Sequence, residues 1–155
     1  MTVVGAGTMG AGIAQVCAQT GWMTSLFDAF PEALERGFGS IEAFWDKGIK
    51  RGKTTPEQKA GWSANLISTD DLSEAVHGAD FVIEAIPEKM ELKRSVFQEL
   101  ESLAPSHAIL ATNTSSLPIS EIAAVTGCPE RVIGMHFFNP VPLMSLLEIV
   151  RHNSV

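Results

Sequence analysis

Tyrosine is absent from this sequence of 155 residues, cysteine occurs only twice, and acidic residues outnumber basic ones. The absence of tyrosine excludes a catalytic site that depends on a phenol. Cys17 and Cys128 lie far apart and match no disulfide or metal-binding spacing, so we expect two reduced thiols in a cytoplasmic protein. With 11 basic against 18 acidic residues the formal net charge is −7, which argues against nucleic acid as a partner.

Long apolar runs are missing as well. No stretch reaches the roughly 18 consecutive apolar residues that a membrane-spanning helix needs. The N-terminal segment has no basic start and three glycines interrupt its apolar pattern, which is not typical of a signal peptide. We therefore expect no membrane partner. The composition, 45% hydrophobic and 19% charged residues, suits one globular domain.

Strand and helix patterns alternate along the chain, which predicts an α/β fold of the Rossmann type with a doubly wound, mainly parallel sheet. Apolar runs predict strands over residues 2–4, 23–27, 66–67, 81–86, 108–111, 132–138 and 144–150. Helical spacing predicts helices over residues 9–20, 31–50, 71–77, 90–103 and 119–125. The basic segment 47–59 predicts a helical arm inserted after the second strand, with Pro56 beginning a short helix.

A glycine-rich hexad follows the first predicted strand and opens the first predicted helix. Its glycines are Gly5, Gly7 and Gly10, and Asp28 ends the next predicted strand. The hexad alone is a weak signal, but this context completes a dinucleotide-binding fingerprint. Gly5 permits the turn, Gly7 lets the backbone approach a pyrophosphate, and Gly10 lets helix and strand pack closely. The helix N-terminus offers free N–H groups to the phosphates.

Asp28 decides between the two nicotinamide dinucleotides. Its plain alternative is a solvated turn residue, but at this position a carboxylate accepts hydrogen bonds from the adenosine ribose hydroxyls and repels a 2′-phosphate. The residues after it are alanine, phenylalanine and proline, so no arginine is placed to bind that phosphate. The sequence therefore predicts NAD as the cofactor.

A dinucleotide site indicates hydride transfer, and the composition limits how an alcohol is deprotonated. Without tyrosine there is no Tyr-x-x-x-Lys pair, and two cysteines with four scattered histidines do not build a zinc centre. Histidine is then the usual base near neutral pH. His136 lies on a predicted strand that Asn139 and Pro140 end, near a carboxyl edge where parallel sheets bind ligands. The alternative is a structural histidine.

Glu148 is a second unusual residue, because it interrupts the apolar run 146–150. A buried carboxylate without a partner is costly, so we expect it to be paired. The imidazole of His136 is a suitable partner, since a carboxylate would orient the ring and stabilise the imidazolium formed when the base takes a proton.

Polar side chains also follow two other predicted strands. Asn113, Thr114, Ser115 and Ser116 follow the strand at 108–111, where they either contact a ligand or cap the next helix; Ser120 is the other candidate for that cap. Glu88 and Lys93 flank the fourth strand and its helix, and their alternative is a solvated, charged helix start.

Three motifs resemble those of the L-3-hydroxyacyl-CoA dehydrogenases, and the similarity extends over the whole chain. They are Gly5-Ala6-Gly7-Thr8-Met9-Gly10, Asn113-Thr114-Ser115-Ser116-Leu117 and His136-Phe137-Phe138-Asn139-Pro140-Val141-Pro142. The glycine motif is shared by many families, whereas the last motif is highly specific. The resemblance implies NAD-dependent oxidation of an L-3-hydroxyacyl-CoA to a 3-ketoacyl-CoA.

The resemblance also implies roles for individual residues. His136 matches the catalytic base, Glu148 its partner, and Ser115 the serine that contacts substrate and cofactor. Residues that match NAD contacts are Gly5, Gly7, Thr8, Met9, Gly10, Asp28, Glu88, Lys93, Asn113, Ser115 and Asn139. The arm corresponds to the segment that approaches coenzyme A, with Lys50, Arg51 and Lys53 as candidates. Phe44 and Arg51 stand where the family often has a serine and a lysine, and an arginine also binds phosphate.

The sequence departs most from the family in its length. Family members continue into a second, helical domain that completes the acyl pocket and carries the main contacts of a homodimer. We therefore expect residues 1–155 to be the NAD-binding domain, as a fragment, a truncated form or one subunit of a split enzyme. Two alternatives stay open: an NAD-binding module without turnover, and a dehydrogenase of a non-CoA hydroxy acid or sugar acid. The basic arm argues against the second.

Overall fold

The computed structural model describes residues 1–153, which form one seven-stranded sheet in the order β3-β2-β1-β4-β5-β6-β7. The strands are β1 Thr2–Val4, β2 Thr24–Phe27, β3 Leu66–Thr69, β4 Phe81–Glu84, β5 Ile109–Thr112, β6 Val132–Phe137 and β7 Leu147–Val150. All neighbouring strands are parallel except β6 and β7, which pair antiparallel. The predicted doubly wound, mainly parallel sheet is therefore confirmed.

Six α-helices connect the described strands: α1 Thr8–Gln19, α2 Pro31–Lys50, α3 Pro56–Ala64, α4 Leu72–Val76, α5 Met90–Leu103 and α6 Ile119–Ala123. The long helix predicted over 31–50 has the predicted bounds. Most other predicted elements differ from the structure by one to three residues at their ends. The prediction was wrong at 144–146. These residues follow a 3-10 turn at Val141–Leu143 and form no strand, so β7 begins only at Leu147. None of the helices within residues 1–153 is long and apolar enough to cross a bilayer.

Side chains on the two faces of the sheet pack into two clusters. Val3 packs with α1 and α2, while the adjacent Val4 packs on the other face with α4, α5 and α6. This alternation follows from the two-residue period of a strand. Because both faces of the sheet are covered, the central strands are buried, and ligands can approach these strands only at their ends.

The arm after β2 is a helical hairpin, and its second helix begins at Pro56 as predicted. Trp45 of α2 packs against Trp62 of α3 with ring centroids 5.7 Å apart. Lys59 pairs with Glu42 at 3.1 Å and with Asp46 at 2.7 Å. A capping box between Thr55 and Gln58 begins α3. The exposed tip of this hairpin carries the basic residues Lys50, Arg51 and Lys53.

Candidate active site and cofactor cleft

A glycine stands at each of the three motif positions for a different physical reason. Gly5 has a φ of +105°, a conformation that favours glycine. A Cβ at Gly10 would lie 1.7 Å from the carbonyl oxygen of Gly5, so the close approach of α1 to β1 requires a glycine. Gly7 differs, because within residues 1–153 no atom apart from its own chain neighbours and helix backbone lies within 4 Å of the position that its Cβ would take. The missing side chain of Gly7 thus leaves room for a ligand.

The N-terminus of α1 faces the same open space. Gly7 is its N-cap residue, no side chain caps the helix, and its first turn has no acidic residue. The N–H groups at the start of a helix have no partner within the helix and carry a partial positive charge. A pyrophosphate fits this position, since it accepts hydrogen bonds and is negatively charged.

Asp28 follows the carboxyl end of β2 and is held by two backbone groups. Its Oδ2 accepts a hydrogen bond from the Ala6 amide at 2.8 Å, and its Oδ1 accepts one from the Phe30 amide at 3.0 Å. Each carboxylate oxygen keeps a second lone pair for a hydroxyl. Asp28 lines a mainly apolar cavity of about 530 Å³ together with Gly5, Gly7, Thr8, Met9 and Leu92. This cavity suits the adenosine half of a dinucleotide.

A second cavity of about 330 Å³ is lined by five of the other predicted site residues, Glu88, Asn113, Ser115, His136 and Asn139. It shares Met9, Ala85 and Ile86 with the first cavity, so the two cavities adjoin each other at the carboxyl ends of the parallel strands. Its remaining lining residues are Phe137 and Phe138. The structure therefore brings together residues that are far apart in the sequence.

His136 and Glu148 form the predicted pair. They are directly opposite each other in the antiparallel pairing of β6 and β7, and the imidazole Nδ1–H donates to Oε2 of Glu148 at 2.9 Å. The assumption that Glu148 is buried was wrong, because 53% of its side chain is exposed. β7 is an edge strand, so its apolar residues are not enclosed. The pair therefore orients the ring and relieves no buried charge.

The loop after β5 is organised around Glu88. Oε1 of Glu88 accepts hydrogen bonds from the Thr114 hydroxyl and from the amides of Ser115 at 3.1 Å and Ser116 at 3.4 Å. Within the loop, the Thr114 hydroxyl accepts one from the Leu117 amide at 3.0 Å. These contacts fix the backbone that carries Ser115 into the second cavity.

The expected helix cap in this region was wrong. The N-cap residue of α6 is Pro118, no side chain caps the helix, and Ser120 lies inside it. Asn113 instead joins two strands, because its Oδ1 accepts a hydrogen bond from the Phe137 amide at 2.9 Å. This contact holds the ends of β5 and β6 together beside His136.

A buried ion pair lies behind Glu88. The Nζ of Lys93 is 2.6 Å from Oε1 of Glu84 and 3.4 Å from Oε2 of Glu88. Glu84 and Lys93 are almost completely buried, and Glu84 also accepts hydrogen bonds from the Thr112 hydroxyl and the Ile86 amide, both at 2.7 Å. Lys93 is therefore not part of a solvated helix start, and it lines neither cavity.

The role of Glu84 was missed by the sequence analysis. It lies in the apolar run 81–86, and the argument used for Glu148 applies to it equally: a carboxylate in an apolar strand needs a partner. Glu84 is completely buried, since β4 is central and both faces of it are covered.

Comparison with known protein families identifies the domain. A model of the NAD-binding domain of 3-hydroxyacyl-CoA dehydrogenase matches residues 1–155. The chain belongs to this family. NAD is accordingly its cofactor, as the glycine motif and Asp28 predict.

Individual 3-hydroxyacyl-CoA dehydrogenases are similar over nearly the whole chain. A probable 3-hydroxybutyryl-CoA dehydrogenase of Bacillus subtilis is 48% identical over 96% of this chain and 52% of its own. The 3-hydroxyadipyl-CoA dehydrogenase of Escherichia coli is 45% identical over 97% of this chain and 31% of its own. The crystal structure of a (S)-3-hydroxybutyryl-CoA dehydrogenase from Ralstonia eutropha superposes with a TM-score of 0.95 at 38% identity, covering 99% of this chain and 54% of that one. The chain thus spans about half or less of the length of these relatives.

The basic residues that the 3-hydroxyacyl-CoA dehydrogenase resemblance assigns to coenzyme A are not brought to the cleft. Lys50, Arg51 and Lys53 lie exposed at the tip of the α2–α3 hairpin and line neither cavity. Among the residues described, no group of three or more histidine, cysteine, aspartate or glutamate side chains is arranged to hold a metal ion.

Proposed function

We propose that the chain is the NAD-binding and catalytic-base domain of an L-3-hydroxyacyl-CoA dehydrogenase, which oxidises the 3-hydroxyl of its substrate to a ketone. The observation that carries this proposal is the hydrogen bond of 2.9 Å between His136 and Glu148. His136 lines the cavity that adjoins the proposed adenosine site, where a base can act on an alcohol beside the cofactor.

The two ring nitrogens of His136 have separate tasks in this proposal. Because Nδ1–H donates to Glu148, Nε2 carries the free lone pair and takes the proton of the substrate hydroxyl. Glu148 stabilises the imidazolium that results. Bound NAD supplies the acceptor for the hydride that leaves the carbinol carbon. Ser115, held on its loop by Glu88, donates a hydrogen bond to the substrate oxygen.

The same proposal assigns the cofactor contacts. The turn and helix start at Gly5, Gly7, Thr8, Met9 and Gly10 hold the pyrophosphate, and Asp28 accepts hydrogen bonds from the adenosine ribose. The nicotinamide half lies in the second cavity, with Glu88, Asn113, Ser115 and Asn139 around it. Lys93 acts through Glu88, since its ammonium is buried behind that carboxylate.

An acyl-CoA substrate fits the names of the relatives, and we propose that the arm binds its phosphates. Lys50, Arg51 and Lys53 are exposed cations on a chain whose formal net charge is −7. A local basic tip on an acidic protein attracts a polyanion. Replacing all three with glutamine should raise the KM for the CoA substrate and leave NAD affinity unchanged.

We further propose that residues 1–155 act with a second domain, that the complete enzyme is a homodimer, and that it resides in the cytoplasm. The greater length of the relatives supports the first point. The two free cysteines, of which Cys17 is buried, suit a reducing compartment such as the cytoplasm.

Acetoacetyl-CoA-dependent oxidation of NADH tests the proposed function. We expect activity in the product of the complete gene, and NAD binding with little turnover in the 155-residue chain alone. The reason is that the catalytic pair is open to water, whereas orientation in a closed site contributes about 7–11 kcal/mol to such reactions. Activity on acetoacetate but not on its CoA ester would favour the non-CoA alternative, and NAD binding without turnover in the complete product would favour the binding module.

A further inference from the structure

The charged groups at and behind the second cavity carry more negative than positive charge. Glu88 lines this cavity, and no lysine or arginine is among the described residues that line it. Lys93 lies behind Glu88, but it is closer to Glu84, at 2.6 Å against 3.4 Å. The single positive charge of Lys93 is therefore shared by two carboxylates, and the group as a whole keeps one negative charge on the side of Glu88.

The carboxylate of Glu88 is fixed in place and ionised. Four donors hold its Oε1: the Thr114 hydroxyl, the amides of Ser115 and Ser116, and the Ser116 hydroxyl at 3.4 Å. Burial raises the pKa of Glu88, but the Thr114 hydroxyl, the Lys93 ammonium and the Ser115 amide together outweigh it and hold the pKa below its ordinary value. The charge is therefore present throughout the neutral range.

We propose that Glu88 selects the oxidation state of the cofactor, so that the cleft binds NAD⁺ more tightly than NADH. The inference rests on the proposed function, which places the nicotinamide ring in the cavity shared by Glu88 and His136. The oxidised ring carries a formal positive charge and the reduced ring carries none, while the rest of the two molecules is the same. A fixed carboxylate beside the ring attracts only the oxidised form, and in a partly desolvated cleft this attraction is stronger than in water.

Contacts elsewhere in the cleft do not make this distinction. The glycine loop and Asp28 face the pyrophosphate and adenosine, which are identical in both forms. The general charge of the chain contributes as well, because a net charge of −7 repels NADH, the more negative molecule. The test must therefore separate a local effect of Glu88 from this general effect.

The experiment measures the dissociation constants of NAD⁺ and NADH for the unmodified chain, Glu88→Gln and Glu91→Gln. Glu91 is the matched control: it is three residues away, 87% of its side chain is exposed, and it lines neither cavity. We expect Glu88→Gln to weaken NAD⁺ binding on the order of tenfold and NADH binding less than about twofold, an effect between that of two opposite charges in bulk water and that of the same pair near a protein surface. Glu91→Gln should leave the ratio of the NADH dissociation constant to the NAD⁺ dissociation constant nearly unchanged.

Equal weakening of both forms by Glu88→Gln would overturn the inference, because Glu88 would then only hold the serine loop. So would an equal change of the ratio in Glu91→Gln. Salt provides a second measurement: the ratio of the NADH to the NAD⁺ dissociation constant should decrease as salt is raised from about 0.05 to 0.5 M, and it should decrease more in the unmodified chain than in Glu88→Gln, since salt screens the attraction to Glu88. A constant ratio, or an equal decrease in both proteins, contradicts the inference. If the unmodified chain binds neither form, the proposed function itself fails, which is a distinct result.

Discussion

The two halves of the cleft recognise their ligands by different means. Among the residues described, the adenosine half, around β1, α1 and β2, is lined by one acidic residue, Asp28, and otherwise offers glycines and free backbone N–H groups. The catalytic half, at the ends of β4 to β7, contains the ionisable groups Glu84, Glu88, Lys93, His136 and Glu148, each already paired. Under the proposed function, the first half provides affinity, whereas the second half provides proton transfer and selects the state of the cofactor.

The two ion pairs of the catalytic half also differ from each other. Lys93 and Glu84 are buried behind the cleft, whereas His136 and Glu148 lie at an open edge of the sheet. A buried pair is destabilising to break, because the remaining charge has no solvent. An exposed pair contributes little to folding and can serve orientation alone. Substitutions in these two pairs should therefore affect different properties.

The largest effect is expected for His136→Gln in the complete enzyme. Loss of the general base should lower kcat by about 10²–10⁴, while NAD affinity stays nearly unchanged because the base serves the substrate hydroxyl. Steady-state kinetics and calorimetry measure the two quantities. His107→Gln is the control, since His107 is exposed and contacts Asp80 away from the cleft. A His136→Gln enzyme that keeps more than a tenth of normal kcat contradicts this role.

The next effect concerns folding. Lys93→Met leaves Glu84 buried without its cation, so the free energy of unfolding should fall by about 3–5 kcal/mol. The double variant Lys93→Met, Glu84→Gln should recover much of this loss. Urea denaturation measures both, and Lys59→Met is the control, because the ion pairs of Lys59 are on the surface of the arm. Equal stability of the Lys93 and Lys59 variants would show that the buried pair is not a structural anchor.

A smaller effect is expected for Asp28→Ala in the adenosine half. NAD binding should weaken by about 1–3 kcal/mol, the cost of leaving the ribose hydroxyls without their acceptor, and kcat at saturating NAD should change little. Asp70→Ala, on a neighbouring loop, serves as the control. Calorimetry that finds equal affinity of the unmodified chain for NAD and NADP would remove the basis of this prediction.

The smallest effect concerns Cys17 of α1. Burial raises the pKa of this thiol to about 11, so it stays protonated in the folded state at a pH where the unfolded chain ionises from its ordinary value of 9.0. Stability from this group is present below pH 9 and is lost as the pH rises through 11. Cys17→Ala should reduce the loss of unfolding free energy between these pH values by on the order of 1 kcal/mol. Identical pH profiles for both proteins would count against a buried thiol.

Local patterns in the sequence predicted the geometry of the glycine turn and the position of Asp28 beside it. The turn at Gly5, the close packing at Gly10 and the acid at Asp28 depend on neighbours within one strand–helix–strand unit, so their spacing determines their arrangement. The catalytic half depends on strands that are distant in the sequence. The pairing of His136 with Glu148 was nevertheless predicted, although the reason given for it, the burial of Glu148, was wrong.

What could not be predicted was which strand lies at an edge. Glu148 and Glu84 are both acids in apolar runs, yet β7 is open to solvent and β4 is enclosed. That difference depends on the strand order, which the apolar pattern alone does not contain. The burial of Lys93 could not be predicted for the same reason, since its contact with Glu84 depends on how α5 packs against the sheet.

The most direct test of the proposed cleft is a crystal structure of the chain with NAD⁺. The account predicts the adenosine ribose within hydrogen-bond distance of Asp28, the pyrophosphate at the N-terminus of α1, and the nicotinamide ring in the cavity lined by Glu88 and His136. A nicotinamide ring bound outside that cavity, with the adenosine still at Asp28, would contradict the account.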